Sequence, residues 1–176
     1  MGMQELAFWR AVVVDESNFL EAIINTLAEN KIRYCVIGGQ GVNAYVDPLV
    51  SLDLHLVVAT ERLEPVERIL SSQFHVERFP HSLNISSTAS KLRVQIQTDA
   101  RYSEFISRAR EAEVLGLTLP VASLEDILQG KIWAAQDPTR RPSIRHKDLL
   151  GIERILEAYP GLRSQVPTDI LQKLSA

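Results

Sequence analysis

Cysteine is nearly missing from this chain: Cys35, inside the apolar run Tyr34 to Ile37, is the single one. One thiol cannot close an internal disulfide, which excludes a disulfide-stapled scaffold and points to a reducing compartment. Its apolar neighbours make Cys35 a small buried hydrophobe. No stretch approaches the ~20 apolar residues of a membrane span, so no membrane partner is expected. The opening residues MGMQELAFWRAVVVDE carry acids at Glu5, Asp15 and Glu16 and lack the basic start of a secretory leader. The cytoplasm is the expected location. Positive charge is not in excess either. The 19 Lys and Arg face 22 Asp and Glu, for a net charge of -3, which gives no bulk attraction to nucleic acid or anionic lipid. Internal repeats and low-complexity tracts are absent. What remains is 176 residues, 45% hydrophobic and 23% charged, the make-up of one globular domain with a full core.

The apolar spacing sketches the elements. Leu6 to Val14 reads as a short helix or buried strand. Phe19, Leu20, Ile23, Ile24 and Leu27 mark a helix with Ser17 as its cap, ending near Asn30. Arg33 to Ile37 is a buried strand stopped by Gly38-Gly39, and Val42 to Tyr45 is a helical packet. Asp47-Pro48 is a turn. From Ser51 to Val58 apolar and polar residues alternate, which gives a strand with Asp53 and His55 on one face. Thr60 caps a helix through Leu70. Phe74 to Phe79, Leu83 to Ser87 and Leu92 to Gln97 read as strands, Ser103 to Arg110 as a helix, and Val114 to Val121 as a β pair around Gly116. Ser123 and Asp126 form a capping box for a helix bearing Lys131. A basic, proline-punctuated loop spans Gln136 to Ile144. Lys147-Asp148 then opens a helix that Gly161 ends, and Asp169 to Leu174 closes the chain. Interleaved helices and hairpin-like strands predict a mixed α/β sheet, with residues 1–122 as the core and 123–176 as a helical part packed on it, the two forming one compact unit.

Chemistry concentrates between Tyr34 and Val58. A glycine pair after a buried strand lets backbone N–H groups approach a phosphate, and it also serves as a plain strand-to-helix turn. Asp53 and His55, two apart on a strand, point the same way ~7 Å apart, a spacing that suits convergence on one cation. Gln95 on a later strand can join them across the sheet.

These features resemble the nucleotidyltransferase superfamily related to DNA polymerase beta. More narrowly, they are similar to the small bacterial minimal nucleotidyltransferases and AbiEii-type toxins. The family pattern is a strand, a glycine pair, a helix, a strand with two carboxylates two apart, and a third carboxylate on a later strand. Ile37-Gly38-Gly39 matches the glycine motif, Ser51 the small hydroxyl residue and Asp53 the first carboxylate. Leu119 to Ala135 is similar to the later helix, with Lys131 as its lysine. His146 to Leu156 is similar to the closing Lys-Asp helix, with Lys147 and Asp148 in place. The resemblance implies that Gly38, Gly39, Ser51 and Lys147 hold a nucleoside triphosphate. It further implies that Asp53 binds Mg²⁺, and that Asp53, His55, Gln95 and Lys131 form the catalytic group.

Two positions depart from the pattern. His55 stands where the second carboxylate belongs, and Gln95 takes the place of the third. The family uses its acids to hold two Mg²⁺ ions that clamp the triphosphate, and Mg²⁺ wants oxygen ligands, whereas imidazole suits zinc, copper or nickel. Asp99 lies ~13 Å beyond Gln95 along an extended strand, too far to substitute. The favoured reading is therefore a nucleotidyltransferase-fold binding or interaction module with weakened or lost transfer. Its alternative is an active enzyme that moves a nucleotidyl group to a protein or RNA hydroxyl, as in a toxin–antitoxin or defence system. Arg140, Arg141, Arg145 and Lys147 form the expected contact surface for a protein or RNA partner.

Overall fold

A computed structural model describes residues 18–59, 61 and 63–175. The Leu6 to Val14 element and the Ser17 and Thr60 caps fall outside the described residues. The order is α1 (Phe19–Glu29), β1 (Tyr34–Ile37), α2 (Gly38–Asn43), β2 (Asp53–Val58), α3 (Leu63–Ser71), β3 (His75–Phe79), β4 (Ser82–Ser86) and β5 (Arg93–Gln97). It continues with α4 (Phe105–Arg108), β6 (Arg110–Val114), β7 (Leu117–Val121), α5 (Leu124–Gln136), α6 (Pro142–Ala158) and α7 (Thr168–Leu174). The seven strands form one mixed sheet in the order β3-β4-β5-β2-β1-β7-β6. β2 runs parallel to β5 and antiparallel to β1, and β1 runs parallel to β7.

Alternation on the central strands decides which face is packed. Leu54, Leu56, Leu83, Ile85, Val94 and Ile96 are all fully buried and join Phe19, Ile23, Leu27, Val66 and Leu70 in one cluster. The residues between them turn the other way. Register lines up Glu77, Asn84, Gln95 and His55 in a polar row across β3, β4, β5 and β2, with Asp53 and Arg93 two residues along. The same core extends into the C-terminal helices through Ile127, Leu128, Ile132, Ile152, Ile155 and Ile170.

Several boundaries differ from the sequence expectation. The helix expected over Ser103 to Arg110 shrinks to Phe105–Arg108, because Arg110–Val114 pairs with Leu117–Val121 as a hairpin. Pairing outweighs the helix-favouring Glu111, Ala112 and Glu113. Leu115 and Gly116 take φ of 52° and 81°, the left-handed pair a tight hairpin turn demands. α2 begins at the glycines themselves. α6 starts at Pro142, a favoured first helical position, so Lys147-Asp148 lies in its second turn rather than opening it. α6 also ends at Ala158, before Gly161. The Ser123 cap forms as expected, with its hydroxyl accepting from the Asp126 N–H at 3.2 Å.

Candidate functional site

β2 and β5 place the first three site residues together. The Arg93 N–H donates to the Leu52 carbonyl at 2.8 Å, and Arg93 is the register partner of Asp53. The guanidinium therefore meets the carboxylate squarely: Nε to Oδ1 at 2.8 Å and Nη2 to Oδ2 at 3.3 Å. This two-point contact uses both oxygens expected to face a metal. His55, two residues along on the same face, sits beside Gln95.

Gly38, at φ 70°, closes over His55: an added Cβ would lie 2.8 Å from the imidazole Nδ1. The first glycine of the pair is thus required by a close approach to histidine as well as by its backbone. Around Gly39, by contrast, a Cβ would meet nothing within 4 Å. Burial is the main reason the His55 pKa falls to about 4, and the positive charge of Lys131 pushes it the same way. Asp53 and Asp148 oppose that shift and Arg140 adds to it. His55 is a neutral imidazole at physiological pH.

Two more cations come from the C-terminal part, Lys131 on α5 and Arg140 in the loop between α5 and α6. Lys131 on α5 donates to Asp148 Oδ1 at 3.1 Å, and Arg140 reaches Asp148 Oδ2 through Nε at 3.1 Å and Nη2 at 2.9 Å. The Asp148 side chain is only 5% exposed, so one buried carboxylate is shared by two cations. α6 can hug Lys131 because Gly151 faces its side chain, where a Cβ would stand 3.2 Å from Cε. The basic cluster is therefore split. Arg140 turns inward and Arg145 is half-buried, while Arg141, His146 and Lys147 are exposed.

Ser51 caps the start of β2: its hydroxyl accepts from the Asp53 N–H at 3.2 Å. A network not foreseen from sequence holds the loop before it. Buried Gln40 donates to the Ser51 carbonyl at 3.2 Å, and Asn43 pairs with the Leu49 backbone through both amide atoms, at 2.7 and 3.0 Å. Arg154 bridges Asn43 Oδ1 and the Asp47 carbonyl. Arg93 is likewise absent from the sequence expectation: alternation gives only its place on the polar side of its strand, and the contact with Asp53 depends on register. Trp133 offers no free stacking platform, since it stacks on Phe105 at 5.8 Å and lies under Arg101 at 4.8 Å.

The donor set does not fit a two-metal centre. Among the described residues no group of three or more His, Cys, Asp or Glu could hold a metal ion. Asp99 caps the turn at Ala100–Tyr102 and pairs with Arg101 at 2.9 Å. The five charged side chains at the site, Asp53, Arg93, Lys131, Arg140 and Asp148, carry three positive charges and two negative. No helix of the described residues is long and apolar enough to cross a membrane.

No family model matches the chain, and no curated protein matches it by sequence. Solved structures do. The chain is similar to the solution structure of the antibiotic-resistance factor ANT(2'')-Ia, at a TM-score of 0.54 and 16% identity over 83% of this chain and 90% of that one. It is similar to the lincomycin-bound lincosamide antibiotic adenylyltransferase LnuA, at 0.53 and 14% over 81% and 99%. ANT(2'')-Ia in complex with adenylyl-2''-tobramycin gives 0.51 and 17% over 84% and 97%.

Proposed function

On the nucleotidyltransferase fold that it shares with these structures, we propose that the chain is a binding module. It takes a nucleotide, or another phosphate-bearing ligand, without a divalent metal, and it has lost two-metal nucleotidyl transfer. The observation that carries this reading is the two-point Asp53–Arg93 contact. Mg²⁺ requires near-octahedral oxygen coordination, helped by anionic ligands. Here the one motif carboxylate is neutralised by its strand neighbour, and the flanking His55 and Gln95 bring no charge. Without a metal clamp, phosphoryl chemistry loses its main source of charge stabilisation.

Binding needs less. Lys131 has three N–H donors and Arg140 five, and Asp148 engages only part of them. The pair is held for a phosphate by a buried acid, in a site with a positive surplus. The open space beside Gly39 leaves backbone room for the ligand. His55 stays neutral, so it offers the ligand a hydrogen bond but no charge.

Calorimetric titration with ATP and GTP, in Mg²⁺ and in EDTA, tests the reading beside a transfer assay with α-labelled nucleotide. The expected result is equal binding in both buffers, roughly tenfold weaker binding in Lys131→Ala, and no label transferred. Mg²⁺-dependent transfer that disappears in Asp53→Ala would overturn it, and so would the absence of binding in both buffers.

A further inference from the structure

We infer that Arg93 is a built-in cation that excludes divalent metal from Asp53, so that metal specificity at this site is set by a residue outside the acidic motif. The inference rests on the metal-free reading above and adds the residue that enforces it. Three features carry it. First, the contact is imposed by the sheet: Arg93 opens β5, its N–H donates to the Leu52 carbonyl at 2.8 Å, and register puts it opposite Asp53. Second, the geometry is two-pointed, with Nε and Nη2 each on a different carboxylate oxygen, so both faces a metal would use are occupied. Third, the pair is accessible, with Arg93 69% and Asp53 39% exposed. Burial therefore cannot be what keeps an ion away. A guanidinium remains charged at every physiological pH, so the exclusion is permanent rather than switched. Losing two carboxylates weakens a metal site; placing a fixed positive charge on the remaining one opposes a divalent ion directly.

The inference separates Arg93 from the acid losses. In a His55→Asp/Gln95→Asp background the three carboxylates are restored while Arg93 stays. Mn²⁺ binding is then measured by the electron spin resonance of free Mn²⁺, with circular dichroism confirming the fold. Exchanging Arg93→Gln in that background is expected to tighten Mn²⁺ binding by at least roughly tenfold. Arg93→Lys is expected to leave it as weak as with arginine, because the charge remains. Adding Asp53→Asn to the Gln variant is expected to abolish the gain. Equal affinity with arginine, lysine and glutamine at this position would overturn the inference. Should the triple variants not fold, the single Arg93→Asp variant replaces the cation by a carboxylate on an exposed side chain. It is expected to bind Mn²⁺ in an Asp53-dependent way, and no binding would overturn the inference. None of these readouts depends on nucleotide, so a failure here is distinct from a failure of the binding function.

Discussion

Burial works against protonation at His55, and the nearby Lys131 charge adds to it, bringing its pKa to about 4. An unfolded histidine titrates near 6.5. Between those values the unfolded chain takes up a proton that the folded chain refuses. The stability that His55 contributes is thus complete above pH 6.5 and declines as pH falls toward 4, at up to ~1.4 kcal/mol per pH unit. Urea unfolding across that range is expected to show a steeper decline for the native sequence than for His55→Asn. Its imidazole proton shifts should not move through pH 6.5, and titration there would refute the assignment. The sequence made this residue legible as an oddity, because Asp53 and His55 are local neighbours on one alternating strand. It did not make Arg93 legible. That contact spans 40 residues and depends on strand register, which no local pattern encodes.

Among the elements, α2 tests whether the glycine pair is one motif or two positions. Gly38 holds φ 70° with His55 Nδ1 directly over it, whereas Gly39 faces open space. Gly38→Ala is expected to cost roughly 1–3 kcal/mol from the left-handed backbone and the clash. Gly39→Ala should be neutral or stabilising by up to about 1 kcal/mol, since alanine is the better helix residue. Equal costs in urea unfolding would show that the two glycines share one role. The alternating strands and the Ser123 cap are readable because short-range chemistry fixes them, whereas the helix expected over Val42 to Tyr45 begins at Gly38 instead. The hairpin from Arg110 to Val121 was half readable. Gly116 announced its turn, but the helix-favouring acids before it hid a strand that exists only because β7 pairs with it.

At the scale of the whole molecule, one continuous core spans residue 122, where the sheet gives way to the helical part packed on it. Val121 on β7 pairs with Val36 on β1 and leads straight into α5, whose Ile127, Leu128 and Ile132 join the cluster formed by the strands. Fully buried Ile152, Ile155 and Ile170 extend it through the last helices. Removing residues 123–176 would return that surface to water at about 25 cal/mol per Å², a loss that a chain of ordinary marginal stability does not survive. One cooperative transition is therefore expected, with equal calorimetric and van't Hoff enthalpies. A fragment of residues 1–122 should show no such transition. The candidate site is divided in the same way: Asp53, His55 and Arg93 come from the sheet, Lys131 and Asp148 from the C-terminal helices, and Arg140 from the loop that joins them. A ligand bridging the two halves is gained only by the intact fold. At a hundred times its dissociation constant it should stabilise the single transition by about 2.7 kcal/mol. Two separate transitions, with only one of them shifted by nucleotide, would show instead that the halves fold independently and that the site belongs to one of them.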